Sequence, residues 1–509
     1  MRATRAILLA SFAVSRSCAY SFNFSNTHGD HMVLQRDGSG ALVWGFGLPF
    51  APMTLLLSGA SGNATTPGLV DSEGIWRVRL PPQAAGGPYS LRADCASTGE
   101  SAHLTDILFG DVVICGGQSN MALGMGEINN STALIAAAAT RPGIRIMSPQ
   151  YSAQNISQLQ FVLTYAINWT SAASNGGAAV AGFSAVCYLT AASLYDAMGG
   201  AVPFGLIDTA VGGTMISLWL SGAALDECLP LLPFVPGPPW TLSCWFNGML
   251  SPLAAGPTDA KFALWDQGEN DVGSRAWYEC AFPALIKSWR AELAQPALPF
   301  FFVQLPEYVR ANDTALAELR EGQLAALALP GTGFACTADN GDPLGKDTSI
   351  HTLDKTTVSA RLAALALAQV YGRAGVAHLS PRYASASAAA PAGRTLTVTV
   401  SVTPGAAYAG LALVPPSPAG AHGNSSLCPA QWGVEARSCD WFAVQDSNGA
   451  WLNATAAIGA DGQTIVLTAT ASADGATANA TRNGYADWPV VSVYNSAGLP
   501  LVPWPPTKI

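Results

Sequence analysis

The residue of this chain best placed for covalent chemistry is the serine in Gly116-Gly117-Gln118-Ser119-Asn120-Met121. The apolar run before it, Ile107 to Cys115, reads as a buried β-strand. Glycines at the carboxyl end of a strand permit a sharp turn that leaves the hydroxyl at the mouth of a cleft. Three further blocks follow in order. Gly205-Leu206-Ile207-Asp208-Thr209-Ala210-Val211-Gly212-Gly213-Thr214 is another strand ending in glycines, where a backbone N–H can face a bound carbonyl oxygen. Trp265-Asp266-Gln267-Gly268-Glu269-Asn270-Asp271 offers a side-chain amide as a second donor. Asp347-Thr348-Ser349-Ile350-His351 ends in a histidine just before a helical segment, Thr356 to Tyr371. A hydroxyl, a base and oxyanion donors are what ester hydrolysis by a serine requires.

The base follows by elimination. The chain has 6 histidines, and of these only His351 lies within Asp106 to Gly375, the stretch that carries the other blocks. That stretch alternates strands with Ala/Leu-rich helical segments, an α/β texture. Val202 to Thr209, Ala263-Leu264-Trp265 and Pro299 to Leu305 read as strands, and Tyr278 to Leu293 as a helix. On either side the texture is β. Ala41 to Trp44, Met53 to Leu57 and Trp76 to Leu80 alternate between turn residues before it, and Thr395 to Val400 and Thr464 to Thr468 do so after it. Ala384 to Gly393 reads as a low-complexity connector. The expected division is a leader at 1–19, an N-terminal β domain at 20–105, an α/β catalytic domain at 106–380 and a C-terminal β domain at 381–509.

The totals fit an enzyme of several domains. At 509 residues the chain is too long for one core, and 50% hydrophobic content argues against disorder. A formal charge of −9, with nothing resembling a basic phosphate-binding face, argues against nucleic acid as a partner. No apolar run reaches the roughly 18 residues that span a bilayer. Arg2 and Arg5, the apolar stretch Ala6 to Val14 and the small residues Ser17-Cys18-Ala19 have the form of a cleaved signal peptide. Sequons at Asn23, Asn63, Asn129, Asn130, Asn155, Asn168, Asn312, Asn424, Asn453 and Asn479 point the same way, towards a secreted or lysosomal protein with N-linked glycans. In an oxidising compartment Cys228 with Cys244, and Cys428 with Cys439, would close short loops as disulfides. Cys115 and Cys187 lie in apolar runs and are expected to pack as small hydrophobes. No Cys or His spacing suits zinc, and no cofactor is expected.

The four blocks resemble those of the SGNH (GDSL-like) hydrolases, which carry Ser, Gly, Asn and His in this order. More narrowly, the chain resembles the sialate O-acetylesterase family. His31-Met32-Val33-Leu34-Gln35-Arg36, Gly117-Gln118-Ser119-Asn120-Met121, Phe183-Ser184-Ala185, Gln267-Gly268-Glu269 and Asn495-Ser496-Ala497-Gly498-Leu499-Pro500 carry the likeness along almost the whole mature chain. The resemblance implies a flavodoxin-like doubly wound parallel sheet, flanked by N- and C-terminal β domains. It implies that Ser119 is the nucleophile and His351 the general acid/base. The oxyanion donors would be the backbone N–H groups of Ser119 and of Gly213 or Gly212, with the amide of Asn270. Gln118, Gln267 and Trp265 would line the cleft against an acetylated sugar.

Three departures stand out. The family reads Gln-Gly-Glu-Ser-Asn where this chain has Gln267-Gly268-Glu269-Asn270-Asp271, one residue earlier for the asparagine. The position three before the histidine, often acidic in the class, is Thr348. Asp347 is therefore the expected orienting acid, with Asp339, Asp342 or a Ser–His dyad as alternatives. Thr352 stands where relatives have proline. These departures motivate a second reading, a catalytically silent glycan-binding protein. A lipase fits less well, because the blocks carry Gln, Asn and Trp rather than a long apolar acyl tunnel.

Overall fold

The structure is a computed structural model that describes residues 21–60, 62–163, 165–254, 259–308, 314–342, 350–403, 410–414 and 442–509. The expected leader and the Cys428–Cys439 pair lie outside these residues. The central sheet comprises β1 (Glu100–Gly117), β2 (Ile144–Pro149), β3 (Tyr165–Ser171), β4 (Phe204–Asp208), β5 (Phe262–Asp266), β6 (Phe300–Gln304) and β7 (Thr332–Cys336). Across the sheet they run β3-β2-β4-β1-β5-β6-β7. Only the β3–β2 pairing is antiparallel. The five strands β4-β1-β5-β6-β7 thus stand in the order 2-1-3-4-5 found in flavodoxin-like sheets, with β2 and β3 added outside β4.

The strands are continuous apolar runs because both faces are covered. Alternate residues face opposite ways. Val112 and Ile114 of β1 join a core with Trp265, Phe282 and Leu319, whereas Val113 and Cys115 join one with Phe183, Tyr188 and Leu362. The second core lies under α2 (Ala185–Ala197) and α5 (Lys355–Gln369), and the first under α3 (Arg275–Glu292) and α4 (Ala315–Leu324). A short helix, α1 (Ser119–Ala122), opens directly after β1. The chain crosses from β4 on one side of β1 to β5 on the other. This topological switch opens a crevice at the carboxyl ends of β1 and β5, where ligands bind in open α/β sheets.

The boundary expected at residue 105/106 falls inside one strand. The first half of β1 pairs antiparallel with Gly86–Cys95, and that strand pairs with Pro52–Gly59. At the junction Asp106 takes a positive φ of 53°, and the second half turns into the parallel sheet. The N-terminal strands therefore extend the catalytic sheet instead of forming a detached module. The expected connector Ala384 to Gly393 also differs, since Arg382–Ala388 is an edge strand against Thr395–Thr403. Small alternating Ser and Ala residues can fill an exposed edge, so composition hides it. The C-terminal strands form a seven-stranded sheet. Part of the C-terminal region grips α4, where the buried guanidinium of Arg320 donates to the carbonyls of Ala486 and Asp487, both at 3.1 Å.

Two disulfides correct the sequence reading. Cys115 is bonded to Cys187, and Cys228 to Cys280. Cys115 lies in the buried half of β1 on the α2 side, so burial brought a partner that an apolar run cannot reveal. Cys228 closes the helix Gly222–Cys228, which packs on α3, where Cys280 sits. Cys244, its expected partner, is a buried free thiol. Among the described residues no helix is long and apolar enough to cross a membrane.

Candidate active site

Ser119 is positioned by a turn that only glycine allows. Gly117 has φ of +144°, and a Cβ there would come within 2.1 Å of the Asp266 carbonyl oxygen. The same carbonyl accepts from the N–H of Gln118 at 2.9 Å, which locks the turn to the end of β5. Ser119 then begins α1, whose far end is held when Ser184 donates to the Met121 carbonyl at 2.6 Å. His351 arrives from the opposite side of the crevice, a few residues before α5, whose start Asp354 caps by accepting from Thr356 and Thr357. Its Nε2 lies 2.8 Å from Ser119 Oγ, across 232 positions of sequence.

The two glycine-ended loops close on each other. Val211 N–H donates to the Gly117 carbonyl at 3.0 Å, so the second block is laced to the first. Gly212 faces the nucleophile, and a Cβ there would stand 3.5 Å from that of Ser119. Gly213 has φ of +72° and is exposed. Asn270 is also exposed, and its Nδ2 donates to the Gly213 carbonyl at 2.9 Å. The backbone N–H groups of Gly268 and Asn270 both reach Gln118 Oε1, at 3.4 Å. Ser119, Gly212, Gly213, Asn270 and His351 are thus brought together at one end of the sheet. Asp347 lies outside the described residues. Asp339, the alternative acid, is held by Arg361 in a two-pronged ion pair.

The three expected substrate contacts sit elsewhere. Trp265 is 0% exposed, packed edge-on against Trp219 and Trp289. As a β5 residue it points into the α3-side core, which a strand-end position could not reveal. Gln267 is buried too, donating to the Thr214 carbonyl at 3.0 Å and to Asp271 at 2.6 Å. Gln118 is buried and spends its oxygen on the backbone N–H groups named above. All three brace the loops from below. The cleft itself, about 530 Å³, is walled by Tyr151, Trp240 and Trp245, with Glu127 at its rim and Ser119 and His351 among its lining residues. Tyr151 is 52% exposed and stands edge-on to Trp245. Tyr151 and Trp240 come from irregular segments without motif or period, so no sequence signal marked them.

Beneath the cleft lies a charged cluster. Burial raises the Asp266 carboxyl to about 7, with Glu269 adding repulsion. Burial likewise raises Glu269, and it raises Asp271 to about 6 against hydrogen bonds from Gln267 and Ile216. Lys355 is pushed down by burial and drawn back up by Asp266 and Glu269. Asn120 sits among them, donating to Glu269 and accepting from Lys355 Nζ at 2.6 Å.

The comparisons with known proteins bear on this site. The model of a family described as "carbohydrate esterase, sialic acid-specific acetylesterase" matches residues 109–369. The chain belongs to this family. It is 32% identical over 433 residues to the sialate O-acetylesterase of Rattus norvegicus, covering 74% of this chain and 78% of that one. With the Homo sapiens sialate O-acetylesterase it shares 32% over 398 residues, 72% of this chain and 74% of the other. A crystal structure of a carbohydrate acetylesterase from Xanthomonas citri superposes with a TM-score of 0.75 at 28% identity, covering 94% of this chain and 98% of that one. Membership makes this sialic acid-specific acetylesterase family protein a carboxylic ester hydrolase. The family match begins inside β1 and ends with α5, so it contains Ser119, Gly212, Gly213, Asn270 and His351.

Proposed function

We propose that the protein is a serine esterase that removes O-acetyl groups from carbohydrate through an acetyl-serine intermediate. The observation that carries this reading is the 2.8 Å contact between Ser119 Oγ and His351 Nε2 in the open cleft. Nε2 takes the hydroxyl proton as Oγ attacks the acetyl carbonyl carbon. The resulting oxyanion is met by the backbone N–H groups of Ser119 and Gly213 or Gly212, and by the Asn270 amide. Collapse breaks the bond to the sugar oxygen, which leaves with the proton from His351. Water, deprotonated by His351, then cleaves the acetyl-serine and releases acetate. Asp347 is the proposed orienting acid for His351. The strand order 2-1-3-4-5 and the Ser, Gly, Asn, His blocks support an SGNH-type catalytic domain at 106–380.

The names of the relatives favour an O-acetylated sialic acid as substrate. The cleft favours a second reading, an acetylated neutral glycan, because a carboxylate, Glu127, and a stacking wall of Tyr151 and Trp240 line it. Secretory routing, to the exterior or the lysosome, is supported by two disulfides and by exposure of every described sequon asparagine. N-linked glycans are expected at those positions.

The test is acetate release from a panel of O-acetylated sialic acids and neutral acetylated glycans, with p-nitrophenyl acetate as a general ester, beside Ser119→Ala. Turnover by the native chain and its loss in the variant are expected. Equal nitrophenol release from both proteins would overturn the esterase reading in favour of a glycan-binding protein. The preferred sugar decides between the two substrate readings.

A further inference from the structure

Asn120 follows the nucleophile directly, yet its side chain serves the other loops. It is 1% exposed. Its Nδ2 donates to the carbonyl of Ile350 at 3.0 Å, the residue before His351, and also to the Glu269 carboxylate on the third loop. Its Oδ1 accepts from Lys355 Nζ at 2.6 Å, at the start of α5. Three of the four blocks therefore meet on one buried amide.

The partners make this arrangement a single state. Lys355 is 1% exposed, and a buried ammonium is costly unless paired and hydrogen-bonded. Asp266 and Glu269 draw its titration back up as they ionise, and Asn120 supplies the hydrogen-bond acceptor. Moving Asn120 would strip a buried cation of that acceptor, so all three groups hold one another in register. The segment bearing His351 is fastened after the histidine, where Leu353 accepts from Asn129 and Asp354 accepts from Asn340, both at 3.0 Å. Before the histidine, the described fastening is Asn120 to Ile350.

We infer that Asn120 is a positioning residue for the Ser119–His351 pair, clamped from below by Lys355 and Glu269, which fixes the distance the proton crosses. The inference rests on the esterase reading above. It differs from a general role in stability because the amide bridges the residue after the nucleophile to the residue before the base. A displacement of about 1 Å at such a pair costs on the order of 10²-fold in rate.

The experiment measures kcat and KM with p-nitrophenyl acetate, the labelling rate of Ser119 by a fluorophosphonate, and thermal unfolding, for native chain, Ser119→Ala, Asn120→Ala and Glu269→Gln. Asn120→Ala should lose about 10²-fold in kcat and in labelling rate with KM little changed. Glu269→Gln keeps an oxygen for the Asn120 amide but removes its charge, and should lose roughly tenfold in kcat while staying folded. If Asn120→Ala fails to fold, the Glu269→Gln split between kcat and KM decides. Native kcat in a folded Asn120→Ala, or a change in KM alone in either variant, overturns the inference while leaving the esterase reading intact. Native turnover no higher than that of Ser119→Ala would instead overturn the esterase reading, and the inference with it.

Discussion

The Nδ2 of Asn270 donates to the carbonyl of Gly213 at 2.9 Å, so two loops that each carry a candidate oxyanion donor move as one piece. Both are also tied to the turn of the nucleophile, Asn270 through Gln118 Oε1 and the Gly213 loop through Val211. Removing the amide takes away a donor and unlatches the second loop. Asn270→Ala should therefore lower kcat by about 10²–10³-fold while the fold persists. Asn270→Asp, which sets a carboxylate against the developing oxyanion, should be worse. Steady-state kinetics decide, and native kcat in Asn270→Ala would assign the oxyanion donors elsewhere.

Gly117 and Gly212 make opposite predictions although both flank Ser119. A Cβ on Gly117 would collide with the backbone of Asp266 at 2.1 Å, with φ at +144°. Gly117→Ala should destabilise the chain by about 2 kcal/mol or more and abolish activity with it. A Cβ on Gly212 would meet Ser119 at an ordinary 3.5 Å. Gly212→Ala should unfold at the native temperature and show its effect, if it crowds the acetyl group, in kcat/KM only. Melting curves of the two variants side by side test the contrast.

The Cys115–Cys187 bond ties the strand that ends at the nucleophile turn to α2. It closes a loop of 72 positions, a length for which a disulfide is worth about 2–5 kcal/mol. The double variant Cys115→Ala/Cys187→Ala should lower the unfolding temperature by several degrees, and reductant should lower that of the native chain. An unchanged melting temperature in both would mean that the thiols are not bonded in the folded protein.

The legible parts of this site are those whose chemistry is local. A strand, two glycines and a serine specify a turn whatever surrounds them, and Gly212, Asn270 and His351 each end or precede a regular element. What was hidden depends on direction. Trp265 and Gln267 stand at the right height, but strand alternation turned Trp265 into the α3-side core and a buried bond network took Gln267. Tyr151, Trp240 and Glu127 come from segments with no period, so only folding brings them to the cleft. The disulfides followed the same logic. Nearness in sequence favoured Cys228 with Cys244, whereas the packing of the Gly222–Cys228 helix on α3 selected Cys280. The N-terminal domain boundary was blurred because one strand of 18 residues serves two pairings, with the bend at Asp106.

Three buried aspartates make stability depend on pH in a direction unusual for an acidic protein. Burial holds Asp208 and Asp266 at about 7 and Asp271 at about 6, above the ordinary 3.8. A carboxyl whose folded value is raised contributes stability that is fully present below its unfolded value and lost as pH rises through the folded one. Between about pH 4 and 7 the unfolded chain releases protons that the folded chain keeps. His28 acts the other way, since burial lowers it to about 4 and the unfolded chain takes up a proton that the fold refuses below about 6.5. The raised carboxyls, with Glu269 and Glu307 acting the same way, outnumber the lowered His28 and Lys355, and each net proton is worth about 1.4 kcal/mol per pH unit. The unfolding temperature should therefore rise as pH falls from 8 to about 5.5. Asp208→Asn, which keeps the oxygen that accepts from Ala210 at 3.0 Å, should flatten that rise by about one proton's worth. A melting temperature that falls over this range would mean the three carboxylates are ionised in the folded state and compensated by groups not identified above.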